Sequence, residues 1–381
     1  MLAFDASQVD ATGKRQPQMK IVHVETGRHF YGGAQQVIWL IQGLDARGID
    51  NLLVCTRHSA IEAVAADAGI RVTSLPCAGE LDLAFVWRLR RVLNRETPDI
   101  VHCHSRRGAD FLGGQAAAMV GVPAIVSRRV DNTEPAMMSA LRYRRFARVV
   151  AISENIAAVL RRAGVDDERI SVIRSAVDTK QMQIESDRDS LRDEFGIDPH
   201  AFAIAVVAQL IPRKGHRYLL EALAALKNRY PMLHLEVFGN GVLEDTLRRL
   251  SAALGLHDMV HFAGYRSDLD SYLASFDLLV HPATREGLGV AMLKASAVGL
   301  PVIAFDVAGA RETVQHEATG LLVRPEDSEA LAAAIARLID DTALRLGLGA
   351  NGFVRMQKEF SVDTMVGRYI KTYEAVLHVR Q

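Results

Sequence analysis

Between residues 20 and 378, short apolar, β-rich runs alternate with longer amphipathic stretches, and this leaves few folds open. Runs at 21–25, 52–56, 72–75, 100–104, 124–127, 149–152 and 171–173 read as strands. Helical patterns lie between them at about 33–47, 59–68, 84–96, 108–120 and 153–163. Several runs are apolar at every position, as strands buried on both faces must be. Residues 180–198 are polar and charged without a β run, and read as a connector with a short helix. The rhythm then restarts, with strands at 203–209, 235–238, 260–263, 278–281, 302–305 and 320–323. Helices are expected at about 215–229, 242–254, 267–275, 289–298, 328–340, 343–357 and 362–378. The pattern predicts an α/β protein of two doubly wound parallel sheets, of similar size and side by side. A cleft between two such domains is a favoured ligand site, because strand C-termini and helix N-termini can face it.

Composition narrows the function. With 45 basic and 45 acidic residues the chain is formally neutral, which argues against a nucleic-acid partner. Three cysteines, Cys55, Cys77 and Cys103, make no disulfide framework and point to a reducing, cytoplasmic setting. No apolar run reaches the roughly 18 residues of a membrane span. Residues 1–18 lack the features of a signal peptide and read either as a loose extension or as preceding a true start at Met19. Charge is unevenly spread: residues 84–148 hold 12 arginines against 5 acidic residues, with clusters at Arg88, Arg90, Arg91, Arg95 and at Arg142, Arg144, Arg145, Arg148. These are either solvated helix faces or a surface for anionic lipid head groups or a phosphorylated acceptor.

The strongest local signal is TREGLGVAMLKASAVGLP at 284–301. A strand ends at a polar turn, Glu286 follows, and two glycines precede an alanine-rich helix. The free N–H groups and dipole of that helix favour an anion, and Gly287 and Gly289 allow close approach to the backbone. Glu286 either accepts hydrogen bonds from sugar hydroxyls or is simply a helix N-terminal carboxylate. A second motif, AQLIPRKGHRYLLEAL at 208–223, places Arg213 and Lys214 beside a helix start, a setting for a diphosphate. Gly32-Gly33 precede another helix in a geometry that takes a phosphate or sugar. FGNGVLEDTL at 238–247, with Gly241, is a tight turn or a ligand loop.

The segment HPATREGLGVAMLKASAVGLPVIAFDVAGARETVQHEATGLLV resembles the C-terminal signature of the retaining glycosyltransferases of family 4, also called group 1, which have the GT-B fold. GGAQQVIWLIQGLDARGID and FSVDTMVGRYIKTYEAVL resemble that family's first glycine-rich loop and closing helix. The likeness spans residues 20–378. It implies an acceptor-binding domain at 20–190, a nucleotide-sugar-binding domain at 191–361, and a helix at 362–381 crossing back to the first domain. It implies transfer of a sugar from a nucleotide-sugar to a hydroxyl of a glycan or lipid-linked acceptor, in bacterial lipopolysaccharide, capsule or other envelope synthesis. It implies no metal or other cofactor, and a cytoplasmic or peripheral inner-membrane location.

Carried over by matching position, Glu286 contacts donor hydroxyls and the amides of Gly287, Leu288, Gly289 and Val290 hold donor sugar and phosphates. Lys214 matches the Lys of the family's basic pair that stabilises the departing diphosphate; the family's Gly-Arg is Ala208-Gln209 here, so Arg213 is expected to take over the missing Arg's role, while Gly32, Gly33 and Gly241 border the donor. The family's second Glu, which holds the ribose, is Lys294 here. An ammonium has no acceptor, so Lys294 is expected to weaken or alter nucleotide binding, or to donate to ribose oxygens or phosphate. A nucleotide-sugar-binding pseudoenzyme is the alternative. Arg129 stands where many relatives carry a functional His; it cannot shuttle protons but can bind an acceptor anion, with Arg128 or Asp131 sharing that task. A structural salt bridge is the other reading of Arg129. HCHS at 102–105 has alternating histidines but no second zinc-spaced cluster, so His104 is read as a strand end near the acceptor and no metal is expected. His281 and Cys55 read as strand residues, and Trp39 and Trp87 as core or helix-packing residues.

Overall fold

A computed structural model describes residues 19–79, 81–104, 108–133, 135–182 and 186–379. The extension read at 1–18 lies outside them. The chain divides into two compact units: one holds the described residues up to Ile152, Ile156–Ile173 and those from Met365 onward, the other Ser153–Asn155 and Arg174–Thr364.

The first unit carries a seven-stranded parallel sheet: β1 (Lys20–Glu25), β2 (Asp50–Thr56), β3 (Val72–Leu75), β4 (Ile100–Cys103), β5 (Ala124–Arg128), β6 (Arg148–Ala151) and β7 (Ile170–Val172). Their order is β3-β2-β1-β4-β5-β6-β7. The second unit carries six parallel strands: β8 (Phe202–Val207), β9 (Leu233–Phe238), β10 (Val260–Gly264), β11 (Leu278–His281), β12 (Val302–Phe305) and β13 (Leu321–Val323), in the order β10-β9-β8-β11-β12-β13. Parallel neighbours need a crossover, and the helices supply it while covering both sheet faces. The central strands read VHV, LLVC and AIAV in sequence because their side chains are buried above and below.

Helix boundaries follow local chemistry. Asp82, Asp187, Asp327 and Asp341 each accept a backbone N–H of the first turn, and Gly121 and Gly196 end helices in the left-handed conformation. In the helix Ser328–Asp340, Leu331, Ile335 and Leu338 bury one face against the second sheet's core. Each sheet reverses its order once, beside β1 and beside β8. At such a switch point neighbouring crossovers leave on opposite faces and open a crevice at the strand C-termini.

All thirteen strands fall where the alternation put them, within a few residues. The stretch expected as a helix at 267–275 is instead two short 3₁₀ turns, Leu269–Ser271 and Leu273–Ser275. The helix expected at 108–120 opens with a π turn, Ala109–Gly113. Two short helices, Ala136–Tyr143 and Ala308–Thr313, escaped the pattern because six to eight residues hold too few apolar repeats. Trp87 is not a core residue: it is 55% exposed, with the Arg90 guanidinium over its ring.

Candidate functional site

In the second unit the switch point lies between β8 and β11. The loop after β8 turns through Pro212–Lys214 and the loop after β11 runs through 282–289 into the helix Val290–Ala297. The two loops are tied together: the Thr284 N–H donates to the Arg213 carbonyl at 2.9 Å. Gly215 makes the approach feasible. It sits at φ +69°, and a Cβ there would lie 1.9 Å from the Pro282 carbonyl oxygen. The contact brings Lys214 onto Glu286. The Lys214 ammonium donates to Oε2, His281 Nε2 lies 2.8 Å from the same oxygen, and the Gly287 N–H donates to Oε1 at 3.0 Å. Glu286 and Lys214 are only 11% and 12% exposed.

Burial alone would raise the Glu286 pKa, but the His281 hydrogen bond and the His281 and Lys214 charges outweigh it. The carboxyl is held well below the usual range. Glu286 is thus a fixed anion, and Oε1 keeps a lone pair for a ligand hydroxyl. Gly309 supports the floor: a Cβ there would lie 2.3 Å from the Glu286 carbonyl oxygen. Thr313 hydroxyl donates to the Leu288 carbonyl at 2.7 Å, and Leu288 itself is buried in the core. Of the four expected amides, Gly289 is the residue before the helix and Val290 its first, while the Gly287 amide is already given to Glu286. Gly241 lies against the Leu210 backbone, beside the same β8 loop. Arg213 is exposed, with its guanidinium 3.4 Å from the Arg285 carbonyl.

Lys294 does not reach Glu286. Its ammonium pairs with both Asp270 oxygens, at 2.8 and 2.6 Å, so the cation at this position is already neutralised. His281, read as a plain strand residue, is a direct partner of Glu286. The contact depends on the 282–285 turn folding back, which no local periodicity reveals.

In the first unit the switch point lies between β1 and β4. A pocket of about 230 Å³ opens there, lined by Glu25, Tyr31, Gly33, His104, Ser127 and Arg129 among others. Gly33 and Arg129 lie side by side: a Cβ on Gly33 would be 3.3 Å from Arg129 Cδ. Gly32 is the first helical residue and is exposed. Asp131 does not line this pocket. Arg128 is buried, donating to the Val130 and Asn132 carbonyls and the Tyr143 hydroxyl.

His102 and His104 are joined by a third histidine, His23 of β1, which the spacing of HCHS cannot show. All three are buried, and their ligand-type nitrogens lie within 4.8 Å of one another. His102 bonds the Tyr373 and Ser127 hydroxyls, both at 2.8 Å, and Ser127 bonds Tyr369 at 2.9 Å. The last helix, Val362–His378, is thereby anchored to the first sheet. Burial lowers the pKa of His23 to about 4 and those of His102 and His104 well below their ordinary value. Of the arginine clusters, Arg88 pairs with Asp82, Arg95 with Glu96 and Arg142 with Asp110.

Two parallel α/β units in one chain, each reversing its strand order once, have the architecture of the GT-B fold. Residues 187–355 match the family of glycosyl transferases group 1, and residues 31–181 match glycosyltransferase family 4. The lipopolysaccharide core biosynthesis glycosyltransferase LpsD of Rhizobium meliloti is 27% identical over 358 residues, covering 93% of this chain and 98% of the relative. The lipopolysaccharide core biosynthesis mannosyltransferase LpsB of the same organism is 29% identical, covering 61% and 67%. The crystal structure of Anabaena HepE in complex with UDP superposes with a TM-score of 0.84 at 22% identity, covering 94% and 100%. The chain is a glycosyltransferase, with a group 1 domain in its second half and a family 4 domain in its first.

Proposed function

We propose that this enzyme transfers a sugar, with retention at the anomeric carbon, from a nucleotide-sugar to a hydroxyl of a glycan or lipid-linked acceptor in envelope polysaccharide assembly. The observation that carries the reading is the Lys214–Glu286–His281 cluster at the N-terminus of the helix Val290–Ala297. It offers a fixed carboxylate for sugar hydroxyls beside a cation and free helix amides for phosphate. Negative charge grows on the leaving diphosphate in the transition state, and Arg213, Lys214 and the 288–290 amides are assigned to meet it. No metal is assigned to this step. The names of LpsD and LpsB support lipopolysaccharide core as the acceptor class.

The first unit's pocket, with Gly33, His104 and Arg129, is assigned to the acceptor. No helix among the described residues is long and apolar enough to cross a membrane. A peripheral contact with anionic lipid is proposed for the first unit, where Leu81, Leu83, Trp87, Met137 and Met138 are exposed near Arg91, Arg144 and Arg145 in sequence.

The test is a panel of UDP-, GDP-, ADP- and dTDP-sugars, scored for binding and for turnover with and without EDTA, using the natural chain and Glu286→Gln. Chelator-insensitive turnover of one donor, lost in Glu286→Gln, is expected. Binding without turnover by the natural chain would instead favour a pseudoenzyme, and no binding would remove the donor-site assignment.

A further inference from the structure

Five of the six ring nitrogens of His23, His102 and His104 are hydrogen-bonded, and the pattern assigns their protons. It begins at Asn51. That amide nitrogen donates to Asp45 Oδ1 at 2.7 Å and to the Ile49 carbonyl at 2.8 Å. Reversing the amide would set its oxygen against a carboxylate and a carbonyl, so Asn51 Oδ1 must face His23 Nε2, 3.0 Å away. Oδ1 has no proton, so His23 carries its own on Nε2. In a neutral ring Nδ1 is then an acceptor, and it lies 2.9 Å from His104 Nε2. His104 therefore donates through Nε2. Its remaining nitrogen, Nδ1, is a bare lone pair. It is buried and has no hydrogen-bond partner among the described residues, and His104 lines the first unit's pocket beside Ser127 and Arg129.

A buried acceptor left unpaired destabilises a fold, and a native protein keeps such an atom where something else supplies the donor. We propose that the chain Asp45–Asn51–His23 locks His104 in one tautomer, so that its Nδ1 lone pair accepts a hydrogen bond from a sugar hydroxyl bound in this pocket. Asn51 and His23 are positioning residues: neither lines the pocket, and both act through the proton on His104 Nε2. The ligand class follows from the donor set. Nδ1 asks for a hydroxyl, and Arg129 adds a cation suited to a phosphate or carboxylate on the same molecule. A zinc ion fits less well: it needs deprotonated nitrogens turned towards one point, whereas these rings are spent on one another and on Asn51, Ser127 and Tyr373. The inference rests on the proposed acceptor role of the first unit.

The full chain labelled with 15N-histidine tests it by long-range 1H–15N spectra, assigned through His23→Gln and His104→Gln. At neutral pH both His23 and His104 should be neutral with the proton on Nε2. A proton on His104 Nδ1, or a doubly protonated ring, overturns the proposal. Glucose, galactose and mannose are then titrated, followed by the corresponding sugar 6-phosphates and by inorganic phosphate. At least one sugar or sugar phosphate should move the His104 Nδ1 resonance saturably towards the hydrogen-bonded position. Asn51→Leu should mix the tautomers and weaken that sugar about tenfold. No movement with any sugar, or movement with phosphate alone, overturns the proposal. Equimolar zinc perturbing all three rings also overturns it and assigns the cluster to a metal. Donor turnover in the nucleotide-sugar panel with an unmoved His104 would refute this inference alone. A panel without donor binding would refute the function reading whatever His104 does.

Discussion

Replacing Lys214 with Met should destabilise the second unit, and replacing Glu286 with Gln as well should restore most of the loss without restoring activity. Lys214 and Glu286 are 12% and 11% exposed, so neither charge is solvated enough to stand alone. Removing one partner of a buried pair costs about 3–5 kcal/mol, because the other charge stays buried and uncompensated. Here His281 remains 2.8 Å from Glu286, which keeps one partner on the carboxylate and brings the expected cost to about 2–3 kcal/mol. The double variant has no stranded charge and should recover to within about 1 kcal/mol of the parent. With a urea m-value of about 2 kcal/mol/M, Lys214→Met moves the midpoint down by roughly 1 M. Both tryptophans, Trp39 and Trp87, belong to the first unit, so circular dichroism must follow the second. In turnover, the double variant should remain at least about 100-fold impaired, since preorganised charge at a developing anion is worth that much or more. Strictly additive stability effects would mean the carboxylate does not depend on Lys214. An active double variant would mean the cluster is not the reaction centre.

Acidification should destabilise the protein between about pH 6.5 and 4. Burial holds His23 and His216 at about 4 against 6.5 when unfolded, so the unfolded chain binds more protons in that window, at up to about 3 kcal/mol for each histidine; a urea midpoint that is flat from pH 6.5 to 4.5 would contradict this. Gly309→Ala places a Cβ 2.3 Å from the Glu286 carbonyl oxygen and must displace the 286–287 backbone, so donor affinity by calorimetry should fall at least about tenfold with secondary structure intact. Lys294→Glu alone should bind nucleotide worse than Lys294→Glu with Asp270→Asn, because the single change sets two carboxylates against each other where the ammonium now sits 2.6 Å from Asp270; equal affinities would show that Asp270 has no hold on this position.

The thirteen strands and most helices were legible because burial on both sheet faces writes itself into consecutive apolar residues, and amphipathic helices repeat their buried face. Glu286, Lys214, Gly33 and Arg129 were legible for a related reason: each lies where a strand passes into a helix, in the connecting loop or, for Gly33, the helix's first turn, where parallel α/β sheets place ligands. His281 and His23 were not. Each lies within an apolar strand run, and a polar side chain there gives no sign of its partner. Arg129 and Asp131 sit two residues apart, yet only Arg129 lines the pocket, because the chain leaves β5 after Arg128 and successive side chains no longer share a direction.

The sequence by itself determined the class of architecture, the positions of its strands and the two loops that carry glycine, carboxylate and cation. These follow from local periodicity and backbone preference, which depend on neighbours a few residues apart. Tertiary structure alone decided the pairings: Lys214 with Glu286 across 72 residues, Lys294 with Asp270 across 24, and His23 with His104 across 81. Those contacts are set by strand order and register, above all by β1 lying between β2 and β4, with Ile21 opposite both Asn51 and Ile100. A side chain's charge and proton are governed by whatever the sheet brings beside it, and no short-range pattern encodes that neighbour.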